Sequence, residues 1–598
     1  MWVRKLFIDG FRGIKESELL FREHSALVGP NGCGKSSVVD ALSLVLGRPK
    51  MVRPLSEHDF SGSSPAPSDR IRIVATLTGF ASNDPNDHAQ WFRADRGVPK
   101  WIDETGRIHA SDGAGRALCV EIGFVARFDH EDLIVEAKRY FHDHDDERDP
   151  LDETFPIAEA PGRVLNDLGF FVLPARRGWE GAASFASEFF RRTVSNAAGL
   201  PASEVLAQRD QIRAPQQPIE ASAALAPLVQ AMNDQLARLL LQQPTFKLRL
   251  TSGDSDAVLQ ALLPHYESGG ATLPVARHGS GLLSIQALLL LLEVGRARRA
   301  KGLNFILALE EPELHLAPGL QGRLVADAIS SSDQTLCVTH SPRVAVRYEP
   351  TQVYVMRRER DAVSAVAMLE QPLKAAAANH ERKLYQQNKA RFLEAVMQPY
   401  VLVPEGRFDV EWLTRLANCG EALQRSTPFS TVYGLAPTED AQVEQMATTV
   451  RRLRPAVVAL VDGDSAGDQY VKALSKMPEP PLAIVQWPKN WTIENVVGWI
   501  LESPGAAALP AISSALENRF ALNSLSDLVS LLKMKSNANG LKDDIVAHDS
   551  ILGTLTESSL ERTALILDAL VDAATVFQHP NLVRENGAVP HLRFAPNS

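Results

Sequence analysis

The chain has 598 residues, more than one hydrophobic core serves, and at roughly one domain per 150 residues it predicts about four compact units. Hydrophobic residues make up 45% and charged residues 22%, which excludes a charge-rich disordered polymer. The 72 acids and 62 bases leave a formal charge of −10, so any nucleic-acid surface must be a local patch. Cys33, Cys119, Cys337 and Cys419 lie far apart, without a C-x-x-C pair or a histidine at zinc spacing, and neither a disulfide nor a structural zinc is expected. Residues 1–21 are broken by charges and lack the apolar region of a signal peptide. The longest apolar run, 282–294, contains Ser284, Gln286 and Glu293 and is shorter than a bilayer-spanning helix. The expectation is a cytoplasmic chain with no membrane contact.

In chain order, the first strong signal is a short apolar strand (25–28), a glycine-rich turn and a helix whose apolar face carries Val38, Val39, Ala41, Leu42, Leu44, Val45 and Leu46. Residues 70–140 mostly alternate apolar and polar side chains, predicting a β-rich lobe. Its end, FHDHDDERD (141–149), alternates histidine with acids but reads as a solvated hairpin loop. Residues 179–243 turn helical and look inserted, with no sustained heptads. From 244 strands and helices alternate again, through FKLRLTSG, a helix from Gly281, the strand NFILAL and the strand QTLCVT. A polar, helix-prone linker follows at 371–397. A second α/β unit spans 398–505, and 506–598 reads as mainly helical.

Gly29, Asn31, Gly32, Cys33, Gly34, Lys35 and Ser36 fill a G-x-x-x-x-G-K-[ST] loop, with Ser37 next. Glycines allow successive N–H groups to face an anion, the following helix adds its positive end, Lys35 reaches the β- and γ-phosphates, and Ser36 ligates Mg²⁺. Downstream, a strand ends in Glu310 and Glu311, suited to holding a Mg²⁺ shell and positioning a water. The next strand delivers His340, and Gly279-Ser280-Gly281 opens a helix that can meet a phosphate. In this order these features resemble the ABC-type ATPase head of the RecF and SMC group, over residues 1 to about 370. The resemblance implies ATP with Mg²⁺, and a homodimer in which the Gly-Ser-Gly segment of one subunit caps the nucleotide of the other. Glu310 stands where that family usually has aspartate, and Asp59 is a weak stand-in for its Q-loop glutamine.

The second α/β unit carries Glu405 and Asp409 after the strand YVLVP, and Asp462-Gly463-Asp464-Ser465-Ala466-Gly467 after VVALV. Acids at the tips of neighbouring parallel strands converge at the carboxyl edge of a sheet, and oxygen donors of this kind suit Mg²⁺ or Mn²⁺. The arrangement resembles a Toprim domain. Behind an ABC head it resembles the OLD-family ATP-dependent endonucleases over nearly the whole chain. That resemblance implies a two-ion Mg²⁺ or Mn²⁺ nuclease site built on Glu405, Asp409, Asp462, Asp464 and Glu494, with Lys542 as the late lysine. The expected architecture is an α/β chain. An ABC/SMC-like ATPase (1–178 with the P-loop and β-lobe, 244–370 with the signature, Walker B and switch histidine) is interrupted by a helical, dimerising insertion (179–243). A linker helix (371–397), a Toprim core (398–505) and a helical extension (506–598) follow. The resemblance also implies double-stranded DNA as substrate, a dimer or tetramer, a UvrD-like helicase partner, and a role in phage defence or DNA repair. The alternative is a RecF-like ATP-gated DNA clamp whose Toprim domain binds without cutting. The basic runs 296–301, 357–360 and 451–454 are assigned no site, and Arg176 and Arg177 are weak candidates for the nucleotide or DNA.

Overall fold

The computed structural model describes residues 1–47, 54–93, 96–145, 148–152, 157–175, 184–197, 199–240, 242, 244–250, 252–374, 379–422, 429, 432–435, 443–585, 587 and 589–596. Arg176 and Arg177 lie outside them. Contacts divide the chain into two units. One is Met1–Ala26, Ser36–Arg347 and Arg360–Ala362; the other is Leu27–Lys35, Tyr348–Glu359 and Val363–Ser598.

In the first unit the strands are β1 (Trp2–Phe11), β2 (Ile14–Leu20), the start of β3 (His24–Val28), β4 (Ile71–Thr78), β5 (Lys100–Ile102), β6 (Ile108–His109), β7 (Ala117–Asp129), β8 (Ile134–His142), β9 (Phe170–Leu173), β10 (His265–Ser268), β11 (Ala271–Pro274), β12 (Ile306–Glu310) and β13 (Gln334–Val338). An antiparallel sheet runs β2-β1-β4-β7-β5-β6, with β8 also on β7. Alternation explains it: on β1, Val3, Leu6, Ile8 and Phe11 are buried, while the polar residues between them stay half exposed. β7 is 13 residues long and buried along nearly its whole length, as a strand covered on both faces should be. β12 pairs in parallel with β13 and with β9, and its Ile306 to Leu309 run is buried.

Among the helices here are α1 (Lys35–Leu46), α2 (Glu188–Ala197), α3 (Ala202–Arg213), α4 (Ala226–Leu239) and α5 (Ser280–Ala300). α2 to α4 fall in the stretch that reads as a helical insertion. Phe185, Phe190, Val205, Val258 and Leu259 form a small core that takes in α2 and α3.

Three readings of this unit need correction. FKLRL (246–250) forms no strand; the Phe246 N–H donates to the Asn233 side chain at 2.6 Å and Leu250 is exposed, so the segment has neither ladder nor core. Phe141 and His142 are not loop residues but the end of β8, with His142 directly opposite Glu121. The apolar run 282–294 belongs to a helix of 21 residues, so α5 is long and apolar enough to cross a membrane by length and composition, with about half of it buried. Its Leu283, Ala287, Leu288, Leu291, Leu292 and Val294 are buried, which suits a core helix equally well.

In the second unit β14 (Val353–Glu359) and β15 (Ala362–Ala367) extend from the end of β3 in the order β15-β14-β3. The linker contains a four-residue helix, a π-helical turn (Lys383–Gln387) and α6 (Lys389–Met397). Phe392, Leu393, Ala395 and Val396 of α6 are fully buried, so its second half packs as part of the unit rather than as a solvated spacer. The remaining strands are β16 (Tyr400–Pro404), β17 (Val432–Gly434), β18 (Val457–Val461), β19 (Ala483–Gln486), β20 (Leu582–Glu585) and β21 (His591–Phe594), in the order β17-β16-β18-β19-β21-β20. All neighbours are parallel except β20 on β21. β16, β18 and β19 are nearly continuous buried runs, the signature of a parallel sheet covered on both faces.

Helices α7 (Arg407–Ala422), α8 (Ser465–Ser475), α9 (Ile493–Glu502), α10 (Leu525–Lys533), α11 (Ile545–Leu552) and α12 (Glu557–Thr575) belong to this unit. Residues of α7, α9, α10, α11 and α12 share one core with β16, β18 and β19. The region from 506 is not only helical. β20 and β21 close the sheet, and only Leu592 and Phe594 of β21 are buried, too short an apolar signal to stand out from the helices before it.

Candidate functional site

Glu405 follows β16 and Asp462 follows β18, and these two strands are parallel neighbours. Both acids therefore leave the carboxyl edge side by side, and the Asp462 N–H donates to Glu405 Oε2 at 3.0 Å. Chain reversal between Asp462 and α8 needs glycine twice. A Cβ on Gly463 would run into the Pro488 carbonyl, and one on Gly467 into the Asp462 carbonyl. Asp464 is the N-cap of α8, its carboxylate accepting from the Ala466 and Gly467 N–H groups at 2.9 Å each.

Asp409 lies in the first turn of α7 and accepts from the Gly406 N–H at 3.0 Å. Glu494 lies in the first turn of α9, where the Thr492 hydroxyl donates to it at 2.5 Å. Lys542 approaches Glu494 at 3.9 Å and stands over the Phe408 ring. Asp409 and Glu494 are only 6% and 4% exposed.

Burial and mutual repulsion dominate the electrostatics. Desolvation, then the charges of Asp409, Glu405, Glu494 and Asp464, push the Asp462 carboxyl up to about 8. Desolvation first, with Glu494 and Glu405 adding, pushes Asp409 up to about 7. Glu405 is raised by burial and by Asp464. The Asp462 Oδ1 atom is buried without a hydrogen-bond partner, and an orphaned acceptor among like charges is the environment a divalent cation relieves. The donor set is all oxygen, which fits Mg²⁺ or Mn²⁺.

Sequence reasoning missed the residues that hold this cluster in place. Gln486, at the end of β19 and fully buried, donates to the Asp462 carbonyl at 3.1 Å and to Asp468 at 2.9 Å, while its oxygen faces His591 Nε2 at 2.9 Å. A lone glutamine ending an apolar strand was the only available signal. Thr492 could have been found as the residue before a helix-opening Ile-Glu.

In the phosphate-type loop Gly32 and Gly34 take φ of 77° and 96°, the left-handed region that glycine enters without strain. Lys35 is buried, and its ammonium donates to the Gly29 and Pro30 carbonyls at 2.9 and 2.8 Å and approaches the Cys33 sulfur at 3.6 Å. Asn31 and Ser36 are exposed and Ser37 half-buried at the loop and at the start of α1.

Asp40 of α1 pairs with Arg12 at 2.6 Å. Arg12 also meets Asp59 at 3.3 Å, and Asp59 caps its own 3₁₀ turn by accepting from the Ser56 N–H. Asp59 thus has a structural task.

Glu310, at the tip of β12, accepts from the Ala175 N–H at 3.3 Å. Burial, then the charge of Asp40, pushes it up to about 7, so this acid faces the P-loop helix. Glu311 follows with φ of 43°, and its N–H donates to the Val338 carbonyl at 2.8 Å. His340 is exposed beyond β13; its N–H is held by Glu313, which also accepts from Thr339. Gly279, Ser280 and Gly281 form the exposed to half-buried start of α5. A Cβ on Gly281 would sit 2.8 Å from the His315 carbonyl.

Residues 1–110 match a family described as "Protein of unknown function (DUF2813)". Two curated relatives are chromosome partition proteins Smc. That of Halobacteriovorax marinus is 41% identical over 70 residues, 11% of this chain and 6% of the relative. That of Mycolicibacterium paratuberculosis is 35% identical over 97 residues, 15% of this chain and 8% of the relative. The chain thus spans under a tenth of the length of these relatives. Among solved structures, an SMC head bound to the C-terminal winged-helix domain of ScpA covers 61% of this chain and 98% of its own, at 15% identity and a TM-score of 0.33. The SMC head domain of Thermotoga maritima covers 63% of this chain and all of its own, at 13% identity and a TM-score of 0.25.

Proposed function

We propose that this chain is an ATP-driven DNA endonuclease of the OLD type, with an ABC-type nucleotide site and a Toprim nuclease site. The reading rests on one observation above all: Glu405, Asp409, Asp462 and Glu494 crowd one another at the carboxyl edge of a parallel sheet, with one orphaned carboxylate oxygen and a lysine at the rim. Glu405, Asp462 and Asp464 would hold one Mg²⁺ or Mn²⁺, with Asp409 and Glu494 serving a second. Such ions, when bound, activate water and neutralise the charge of a phosphodiester. Asp464 holds its orientation through the two N–H groups of α8. Gln486 fixes the Asp462 backbone and so the aim of its carboxylate. Lys542, a half-exposed donor, would meet phosphate oxygens and stabilise the charge that grows during in-line displacement.

At the other site the loop N–H groups and Lys35 would cradle the triphosphate, Ser36 and Glu310 would share its Mg²⁺, and Glu311 would orient water. His340 would sense the γ-phosphate from a loop that Glu313 fixes. Gly279-Ser280-Gly281 would reach the nucleotide of a second copy, making a dimer the working unit. Double-stranded DNA is the proposed substrate, and defence against phage or DNA repair the proposed role.

The test is nicking of supercoiled plasmid in Mg²⁺ or Mn²⁺, with ATP, ADP and a non-hydrolysable analogue in separate arms. Metal-dependent nicking that disappears in Asp462→Asn is expected; nicking unchanged in that variant removes the assignment. The short similarity to chromosome partition proteins favours a second reading, a nucleotide-gated DNA clamp. It requires ATP-dependent retention on DNA without cleavage in any divalent metal.

A further inference from the structure

Within the antiparallel sheet of the first unit, Thr76, Glu121 and His142 stand directly opposite one another across β4, β7 and β8. Side chains opposite one another in a ladder share a face, so these three form a row. Two residues beyond His142, in the turn that follows β8, comes His144. One donor atom from each of Glu121, His142 and His144 lies within 4.8 Å of the other two.

Glu121 is an unusual residue for this place. It is 3% exposed, in the middle of a strand buried on both faces. The Thr76 hydroxyl donates to Oε1 at 3.1 Å, but Oε2 is buried with no hydrogen-bond partner. Burial raises the carboxyl above its ordinary range, and the charge of His144 is the largest influence pulling it back. The ring of Tyr140 lies over Gly123, where a Cβ would be 2.8 Å from the hydroxyl, and closes one end of the row.

A competing cation is already occupied. Lys100, opposite Cys119 and so two residues along the same face from Glu121, is paired with Asp143 at 3.0 Å and with Asp145.

We propose that Glu121, His142 and His144 bind one Zn²⁺ that ties the end of β8 and the turn after it to the centre of β7. Two imidazoles and one carboxylate are a zinc donor set, leaving a fourth position for water. Bonds of about 2.0–2.1 Å to a tetrahedral ion require donors about 3.4 Å apart. The exposed His144, on a turn, has the freedom to close the remaining gap, while Glu121 and His142 are set by strand register. The orphaned oxygen gives the ion its buried anchor. The site uses none of the residues assigned to nucleotide or DNA chemistry.

The experiment uses the whole 598-residue chain, stripped with chelator, in an Asp462→Asn/Asp464→Asn background so that the acid cluster does not take up metal. Zn²⁺ per chain is counted after dialysis, and Co²⁺ is added to a second sample to read ligand geometry from its visible spectrum. The expected result is one Zn²⁺ per chain and a tetrahedral Co²⁺ spectrum. Both are expected to be lost in His144→Ala, with Zn²⁺ affinity falling on the order of 100-fold. His144 is exposed, so that variant should keep its circular dichroism spectrum, and Glu121→Gln serves as a second variant if it folds. Equal Zn²⁺ content in His144→Ala and its parent, or no retained Zn²⁺ in the parent, overturns the proposal.

Discussion

Two acid clusters end parallel strands in this molecule, and they solve the problem of buried charge differently. At the tip of β12 Glu310 is raised by burial and by Asp40, Glu313 beyond it is also raised by burial, and Asp40 is itself matched by Arg12. Beyond β16 and β18 several carboxylates raise one another, and Lys542 stands 3.9 Å from Glu494. The loop lysine donates to carbonyls of its own loop; in the acid cluster Glu405, Asp409, Asp464 and Glu494 each accept a hydrogen bond, while Asp462 Oδ1 has no partner. A site with its counter-charge built in is ready for an anion. On the proposed reading, the crowded carboxylates would take cations.

That contrast breaks most sharply at Asp462. Asp462→Asn keeps shape and removes one charge, so plasmid nicking should fall below detection in Mg²⁺ and in Mn²⁺ while ATP binding stays as in the parent. Cleavage within threefold of the parent would show that the crowded acids are not a catalytic metal site. Lys542→Met comes next. It takes away the donor at the rim and leaves every carboxylate, so cleavage should drop by about 100-fold, with metal affinity unchanged or improved. A drop in metal affinity instead would make the lysine a structural partner of Glu494. On the other side of the comparison, Lys35→Ala should weaken nucleotide binding by about 10- to 100-fold, the range for losing hydrogen bonds from a charged group, read by titration with a fluorescent nucleotide. Metal-dependent nicking without nucleotide should survive that change if the two sites work separately.

What was legible in the sequence follows the same division. The phosphate-type loop is contiguous, so its glycines, lysine and serine announce themselves before any fold is known. The acids Glu405, Asp462 and Asp464 were legible because each follows a short apolar strand. Their support was not. Gln486 and His591 meet through strand pairing 105 residues apart, and no local pattern carries that pairing. Strands β20 and β21 were hidden for a related reason: each has four residues and only two of the eight are buried, so periodicity had nothing to grip. His142 reads as part of a solvated loop because the segment lies inside the β-lobe and away from the other candidate sites. Register with Glu121 is a long-range fact. Asp59 shows the reverse case, an acid with a suggestive position whose side chain is fully used by Arg12 and a turn.

The finest test of the comparison is protons. In the cation-free chain Asp462 is pushed up to about 8 and Asp409 to about 7, both above their unfolded values. The folded state therefore binds more protons than the unfolded state between the ordinary aspartate range and pH 8, and stability falls as pH rises through that window. Without divalent metal, Tm should decline from pH 6 to pH 8.5; saturating Mg²⁺ should flatten the slope, and Asp462→Asn should flatten it without metal. Because Mg²⁺ takes carboxylates in their charged form, its binding must expel the protons they carry. At pH 7, groups near 8 and 7 together hold between one and two protons, roughly. Titration of Mg²⁺ in buffers of different ionisation enthalpy, with no nucleotide present, should report that release, and Asp462→Asn should reduce it by about one. Binding with no proton release at pH 7 would mean that the cluster is already ionised, and that its crowding is relieved by something other than a cation.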